Sequence, residues 1–148
     1  MNKPITFWLL VASLIFLAFG GLYGGISMLA DPSGKILQMD EVLASLPVPN
    51  YILPGLFLLF IMGFTPLFLT FCLFKRPKWT WIESIFNWSR EYWALTSSLM
   101  LGIVLLIWLS VQAMMIGFKW PIQFITTANG ILIVAFALSP KLRALYSR

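Results

Sequence analysis

Histidine is absent from this chain, cysteine occurs once, at Cys72, and charged residues make up only 10% of it. The first absence removes His-ligated haem, the usual zinc sites and the commonest general base. A lone cysteine cannot form an intrachain disulfide, so thiol–disulfide chemistry would need a second thiol from a partner. The scarcity of charge excludes a water-soluble domain. With 148 residues, 60% of them hydrophobic, the chain has too little polar surface to cover a globule, whose norm is about half apolar and a quarter charged. No charged residue falls inside the long apolar runs, where proton relays and ion pathways usually place one. Within those runs Ser and Thr have no His or Lys to activate a hydroxyl. No phosphate-cradling glycine loop follows a strand. The seven methionines are scattered, Met114-Met115 being the only adjacent pair. No catalytic residue, metal site or cofactor is assigned.

What is present is a set of four apolar runs, predicted as spans over about 5–29, 51–74, 93–118 and 121–138. About 27 residues between Lys3 and Asp31 carry no charge, more than the roughly 20 that a spanning helix needs. That run is also too long for the apolar core of a cleaved signal, typically about 7–15 residues, so it is read as a retained first span. Its second half carries Gly20, Gly21, Gly24 and Gly25, a small-residue face that lets another helix approach closely, either within the chain or in another subunit. In the second run Pro66 follows Gly63 and Thr65 and cannot bond back to the carbonyl of Met62, so a kink is expected. Asn50 is placed to cap this run, and Pro121 to open the fourth.

Residues 31–50 form the one sizeable loop. Asp31-Pro32-Ser33-Gly34 has turn chemistry, and a short helix with an acidic start is expected after Asp40. Capping and solvation account for its carboxylates more cheaply than a cation site does. Residues 75–92 form a basic linker. At helical spacing Trp81, Ile82, Ile85, Phe86, Trp88 and Tyr92 share one face, which predicts an amphipathic helix lying at the membrane interface or offering that face to a partner. Basic residues cluster at Lys3, in this linker and in the tail from Lys141 to Arg148, whereas the 31–50 loop is net acidic. The positive-inside rule then places both termini in the cytoplasm. Trp8, Trp79, Trp81, Trp88 and Trp93 mark the inner interface, and Tyr51 and Trp120 the outer one. The net charge of +5 is accounted for by these anchors next to anionic lipid, and nucleic acid is not an expected partner.

The turn joining the third and fourth runs concentrates the buried polar groups: Gln112, Gln123, Thr126, Thr127 and Asn129. Asn129 lies eight residues beyond Pro121, roughly 12 Å into the bilayer and near the middle of a hydrocarbon core about 30 Å thick. An amide left unpaired there costs several kcal/mol. The carbonyl freed by Pro66, the hydroxyl of Thr65 and Gln112 are its candidate partners. Two readings stay open: inter-helix bonds that set register, or the polar lining of an outward-facing pocket formed by Pro66, Trp108, Gln112, Gln123 and Asn129.

The combination of Gly20-Gly21, Asp31-Pro32-Ser33-Gly34, Trp108-x-x-x-Gln112-x-x-x-x-Gly117 and Pro121-x-Gln123 resembles a widespread group of small bacterial four-span inner-membrane proteins without an assigned function. The resemblance covers most of the chain; the basic linker is longer than is usual for the group. It implies residence in a bacterial cytoplasmic membrane and supplies no activity. The expectation is an all-α, antiparallel four-helix transmembrane bundle with a single domain over 1–148. It is expected to be non-catalytic and to act through helix packing as a homo-oligomer or as an accessory subunit of another membrane protein. The alternative is a binding or carrier protein for a lipid, quinone or other apolar small molecule in the outward-facing pocket.

Overall fold

A computed structural model describes residues 3–36, 41, 43, 47, 49–117 and 121–147. Among these the fold is all-helical. Helix α1 spans Ile5–Ala30, α2 Ile52–Lys75, α3 Thr80–Ile85, α4 Trp93–Ile116, α5 Pro121–Ala137 and α6 Pro140–Leu145. The three longest, α1, α2 and α4, are long and apolar enough to cross a membrane; α5, at 17 residues, is a shorter apolar helix. The short helix expected after Asp40, and the Trp120 anchor, lie outside the described residues.

Each boundary follows from local chemistry. Pro4 precedes α1 with a φ of −65° and accepts a bond from the Phe7 amide. Asp31 ends the helix, and its carboxylate accepts from both the amide and the hydroxyl of Ser33, at 3.2 and 2.6 Å, the turn that Asp and Ser favour. Asn50 accepts from the Ile52 amide at 3.1 Å, a local turn bond just ahead of α2, whose N-cap position is Tyr51 rather than the expected Asn50. The Tyr51 amide reaches back to the Pro32 carbonyl and ties the two ends of the long loop together.

The disturbance expected at Pro66 takes the form of a π-helical stretch over Leu58–Phe64. A widened turn is one of the few ways a helix adjusts its bonding around a residue with no N–H. Thr65 adds its hydroxyl to the Phe60 carbonyl at 2.8 Å, and Thr70 bonds to the carbonyl of Pro66.

Helix α1 lies between α2 and α5; α4 pairs with α5 and meets the second half of α2. Two pairs of glycines set the closest approaches. A methyl group built on Gly21 would lie 2.4 Å from the carbonyl carbon and oxygen of Met62, and one on Gly25 would lie 2.7 Å from the Leu59 amide nitrogen. The glycine face of α1 is therefore filled by the backbone of the π-helical stretch of α2. Gly20 has open space beside it, and Gly24 faces only the side chain of Leu58. Across the bundle, Gly102 of α4 seats Ile133 and Val134, and Gly130 of α5 seats Leu105 and Leu106.

The core runs along Phe7, Leu10, Leu14 and Leu17 of α1, Met62, Leu69 and Leu73 of α2, Leu101, Leu105 and Leu109 of α4, and Ile133 and Ala137 of α5. The exterior is just as apolar: Phe16, Phe19, Ile26, Phe64, Phe71, Ile107 and Ile131 are all exposed. A helix apolar on all sides is at home in lipid and not in water. Fold and exterior together define a helical membrane protein.

Candidate functional site

Four of the polar groups expected near the α4–α5 turn, Gln123, Thr126, Thr127 and Asn129, bond to separate carbonyls. Asn129, buried at 7% exposure, donates its amide to the Ser13 carbonyl of α1 at 3.0 Å. This corrects the expected partners: the amide reaches neither the Met62 carbonyl freed by Pro66, nor the Thr65 hydroxyl, nor Gln112. A helical carbonyl has a second lone pair free for such a bond, so register between α1 and α5 is set by a backbone atom. Gln123 donates to the Gly117 carbonyl at 3.1 Å and closes the α4–α5 hairpin. Trp108 stacks on Phe57 of α2 with ring centroids 4.5 Å apart. Pro66 is buried within α2, and Gln112 is half-buried on α4. Ser98, Ser110, Thr126 and Thr127 each donate to the carbonyl four residues earlier in their own helix. Replacing Asn129 with Leu should lower stability by about 0.6–1.7 kcal/mol, the range for inter-helix bonds in lipid. Thermal unfolding in detergent checks it, with Thr127→Val expected to show a smaller effect because its bond stays within one helix.

Among the described residues, a dense polar structure lies at the opposite end of the bundle, where α1 and α4 begin and α2 and α5 finish. The sequence marks this end by basic anchors, interfacial tryptophans and an amphipathic linker, without showing how they are joined. Here Tyr146, 1% exposed, donates its hydroxyl to the Leu73 carbonyl at 2.7 Å. Its own carbonyl accepts the Tyr92 amide at 2.7 Å, and an isolated antiparallel bridge joins Glu91 to Ser147. The Arg76 guanidinium lies 4.2 Å from the centre of the Tyr146 ring and donates to the Leu145 carbonyl. Arg76 ends α2 with a φ of 49°, a left-handed conformation that a side chain disfavours and glycine usually takes. Its cation–π and carbonyl contacts hold it there. Tyr92 donates its hydroxyl to the Pro77 carbonyl. Burial pushes both Tyr92 and Tyr146 up to about 12, so each hydroxyl remains a donor at neutral pH. The tail is thereby latched to the ends of α2 and α4.

The linker helix is shorter than expected. Helix α3 covers only Thr80–Ile85, and the apolar face read from the sequence is divided: Ile82 and Tyr92 turn inward, whereas Trp81, Ile85 and Trp88 are exposed. Trp79 stacks between Phe68 and Trp93, at centroid distances of 5.8 and 5.9 Å, which fixes where the linker starts.

Beside the latch lies a cleft of about 480 Å³. Trp88, Ser89, Arg90, Glu91, Thr96 and Arg143 surround its polar end, and Leu95, Leu99, Met100, Ile103, Ala137 and Leu138 line the rest. Glu91 and Arg143 are bonded at 2.8 Å. Ser89 shares its hydroxyl with Thr96 at 2.7 Å and with the Glu91 carboxylate at 3.3 Å. The hydrogen bond from Arg143 holds the Glu91 carboxyl below its usual range. The folded state therefore favours the ionised form. Its stabilisation is present above the ordinary carboxylate pKa of about 4.3 and is lost as pH falls through the lower folded value. The thermal midpoint should drop on acidification below about pH 4, and Glu91→Gln should flatten that part of the profile.

None of Pro66, Trp108, Gln112, Gln123 and Asn129 lines this cleft. No family model, curated protein or solved structure matches the chain.

Proposed function

We propose that this chain is a non-catalytic, four-span membrane protein that acts through its outer surfaces, as an oligomeric or accessory subunit. The observation that carries this reading is the internal engagement of five polar side chains of the helices, while Thr6 Oγ1 and Trp93 Nε1 are buried without a partner among the described residues. Asn129, Ser98, Ser110, Thr126 and Thr127 all donate to backbone carbonyls of the bundle. Their chemistry holds the fold, which leaves the exterior as the working part. The bundle end that joins the termini carries Lys3, Lys75, Arg76, Lys78, Arg90, Lys141 and Arg143, and this supports a cytoplasmic placement of both termini. Trp81, Ile85 and Trp88 then lie at headgroup depth, open to lipid or to a neighbouring chain.

The contact helix is α1. Gly21 and Gly25 are covered by α2, so the surface left for a second chain is the flank around Gly20, bordered by exposed Phe16, Phe19 and Tyr23. The test is native mass spectrometry after extraction into lipid nanodiscs. The wild type should carry a second copy or another membrane chain, and Gly20→Ile should release it without lowering the unfolding temperature. A wild type that is always a single chain with no co-purified protein would contradict the reading.

A further inference from the structure

We propose that the cleft between the Trp88–Glu91 segment, α4 and the end of α5 is a binding site for an anionic phospholipid. One acyl chain lies along α4 and the phosphate lies at Arg90 and Arg143. The proposal does not depend on whether the protein is an oligomer.

The cleft is divided by polarity along its length. Leu95, Leu99 and Ile103 recur every four residues and so form one stripe on α4, with Met100, Ala137 and Leu138 beside it. From Leu95 to Ile103 the stripe runs for roughly 12 Å of helix, close to the depth of one leaflet, about half of a 30 Å hydrocarbon core. The stripe starts from the polar end of the cleft, as an acyl chain starts from its headgroup. A free phosphate would have no use for this floor, and a fully apolar molecule would leave the polar end unmatched.

Charge selects among lipids. Arg90 is exposed and makes no ion pair among the described residues. Arg143 bonds Glu91 through Nε, with 54% of its side chain exposed, and this leaves its terminal amino groups as donors for a second acceptor. Two guanidinium groups against one carboxylate leave the polar end with a net charge of +1. That complements a phosphodiester whose headgroup carries no cation. The ammonium of a zwitterionic headgroup would meet Arg90 and a carboxylate already bonded at 2.8 Å. On the orientation proposed above, the cleft opens in the cytoplasmic leaflet, where anionic lipid is enriched and attracts basic groups.

The experiment is native mass spectrometry of delipidated protein titrated with phosphatidylglycerol or phosphatidylcholine of identical chains. Wild type should retain one phosphatidylglycerol at concentrations where phosphatidylcholine is lost. Arg90→Gln should weaken that retention about tenfold, the effect of one charge-assisted bond, with an unchanged unfolding temperature because Arg90 is exposed. Leu99→Trp, which fills the floor, should weaken both lipids. Equal retention of the two lipids by wild type would overturn the proposal. So would phosphatidylglycerol retention that is indifferent to both substitutions.

Discussion

Gly21→Ala should be among the most damaging single changes in this chain, although it adds only one carbon and replaces glycine with the best helix former. In an open helix the exchange gains about 1 kcal/mol. At Gly21 the new methyl would sit 2.4 Å from the Met62 carbonyl, about 1 Å inside ordinary contact. The obstacle is backbone, which cannot rotate away as a side chain can. Helices α1 and α2 must separate, which loosens Gly25 against Leu59 and Gly63 against Leu22 as well. Overpacking typically costs about 1–3 kcal/mol and occasionally more; with the lost helix–helix contacts, a loss of at least 3 kcal/mol is expected. For a chain of this size that lowers the unfolding midpoint by roughly 6–12 °C. Gly20→Ala, one residue earlier and facing open space, should be neutral or slightly stabilising. The pair separates the packing role of Gly21, which α2 covers, from the proposed assembly role of the uncovered Gly20 flank.

Removing the tail latch should have a comparable effect. Tyr146→Ala deletes a fully buried ring, its bond to Leu73 and the surface on which Arg76 rests. Truncating a buried aromatic costs about 3–5 kcal/mol, roughly 10 °C in the unfolding midpoint. Arg76 would also be left in its left-handed conformation without the ring contact that holds it. Tyr146→Phe keeps the ring and loses one hydrogen bond, so it should cost about 1 kcal/mol. Thermal unfolding of the three proteins in one detergent gives the order, and proteolysis of the tail should become faster in Tyr146→Ala alone.

The helices themselves were legible because lipid makes them so. A run apolar on all sides has to be one continuous helix, and Pro4, Asn50 and Pro121 punctuate the starts. The apolar runs read over 5–29, 51–74, 93–118 and 121–138 coincide with helices Ile5–Ala30, Ile52–Lys75, Trp93–Ile116 and Pro121–Ala137 within two residues, the first three of them long enough to cross a membrane. Contacts were harder to read for the same reason. An exterior as apolar as the interior leaves no periodic signal of which face is inward. The glycines showed that a close approach exists, not that Leu59 and Met62 fill it. The need for a partner at Asn129 was legible, but a backbone carbonyl such as that of Ser13 leaves no trace in sequence. Tyr146 lies in a basic tail that looks like an anchor, and its hydroxyl bonds to Leu73, far away in the chain. The linker failed differently. Its pattern of aromatics fits one helix face, yet the helix stops at Ile85, and Phe86–Ser89 turns the chain toward α4.

The central claim is that α5, the shortest of the four apolar helices, crosses the membrane and returns the tail to the side from which α1 starts. Single cysteines test it most directly in a Cys72→Ala background. Lys35→Cys and Lys141→Cys are both at exposed positions, and sealed, right-side-out vesicles allow labelling with a membrane-impermeant maleimide. Lys35→Cys should be modified in intact vesicles, and Lys141→Cys only after the membrane is opened. Modification of both in intact vesicles would put the tail on the same side as the 31–50 loop, contradicting the bundle, its latch and the placement of the lipid cleft together.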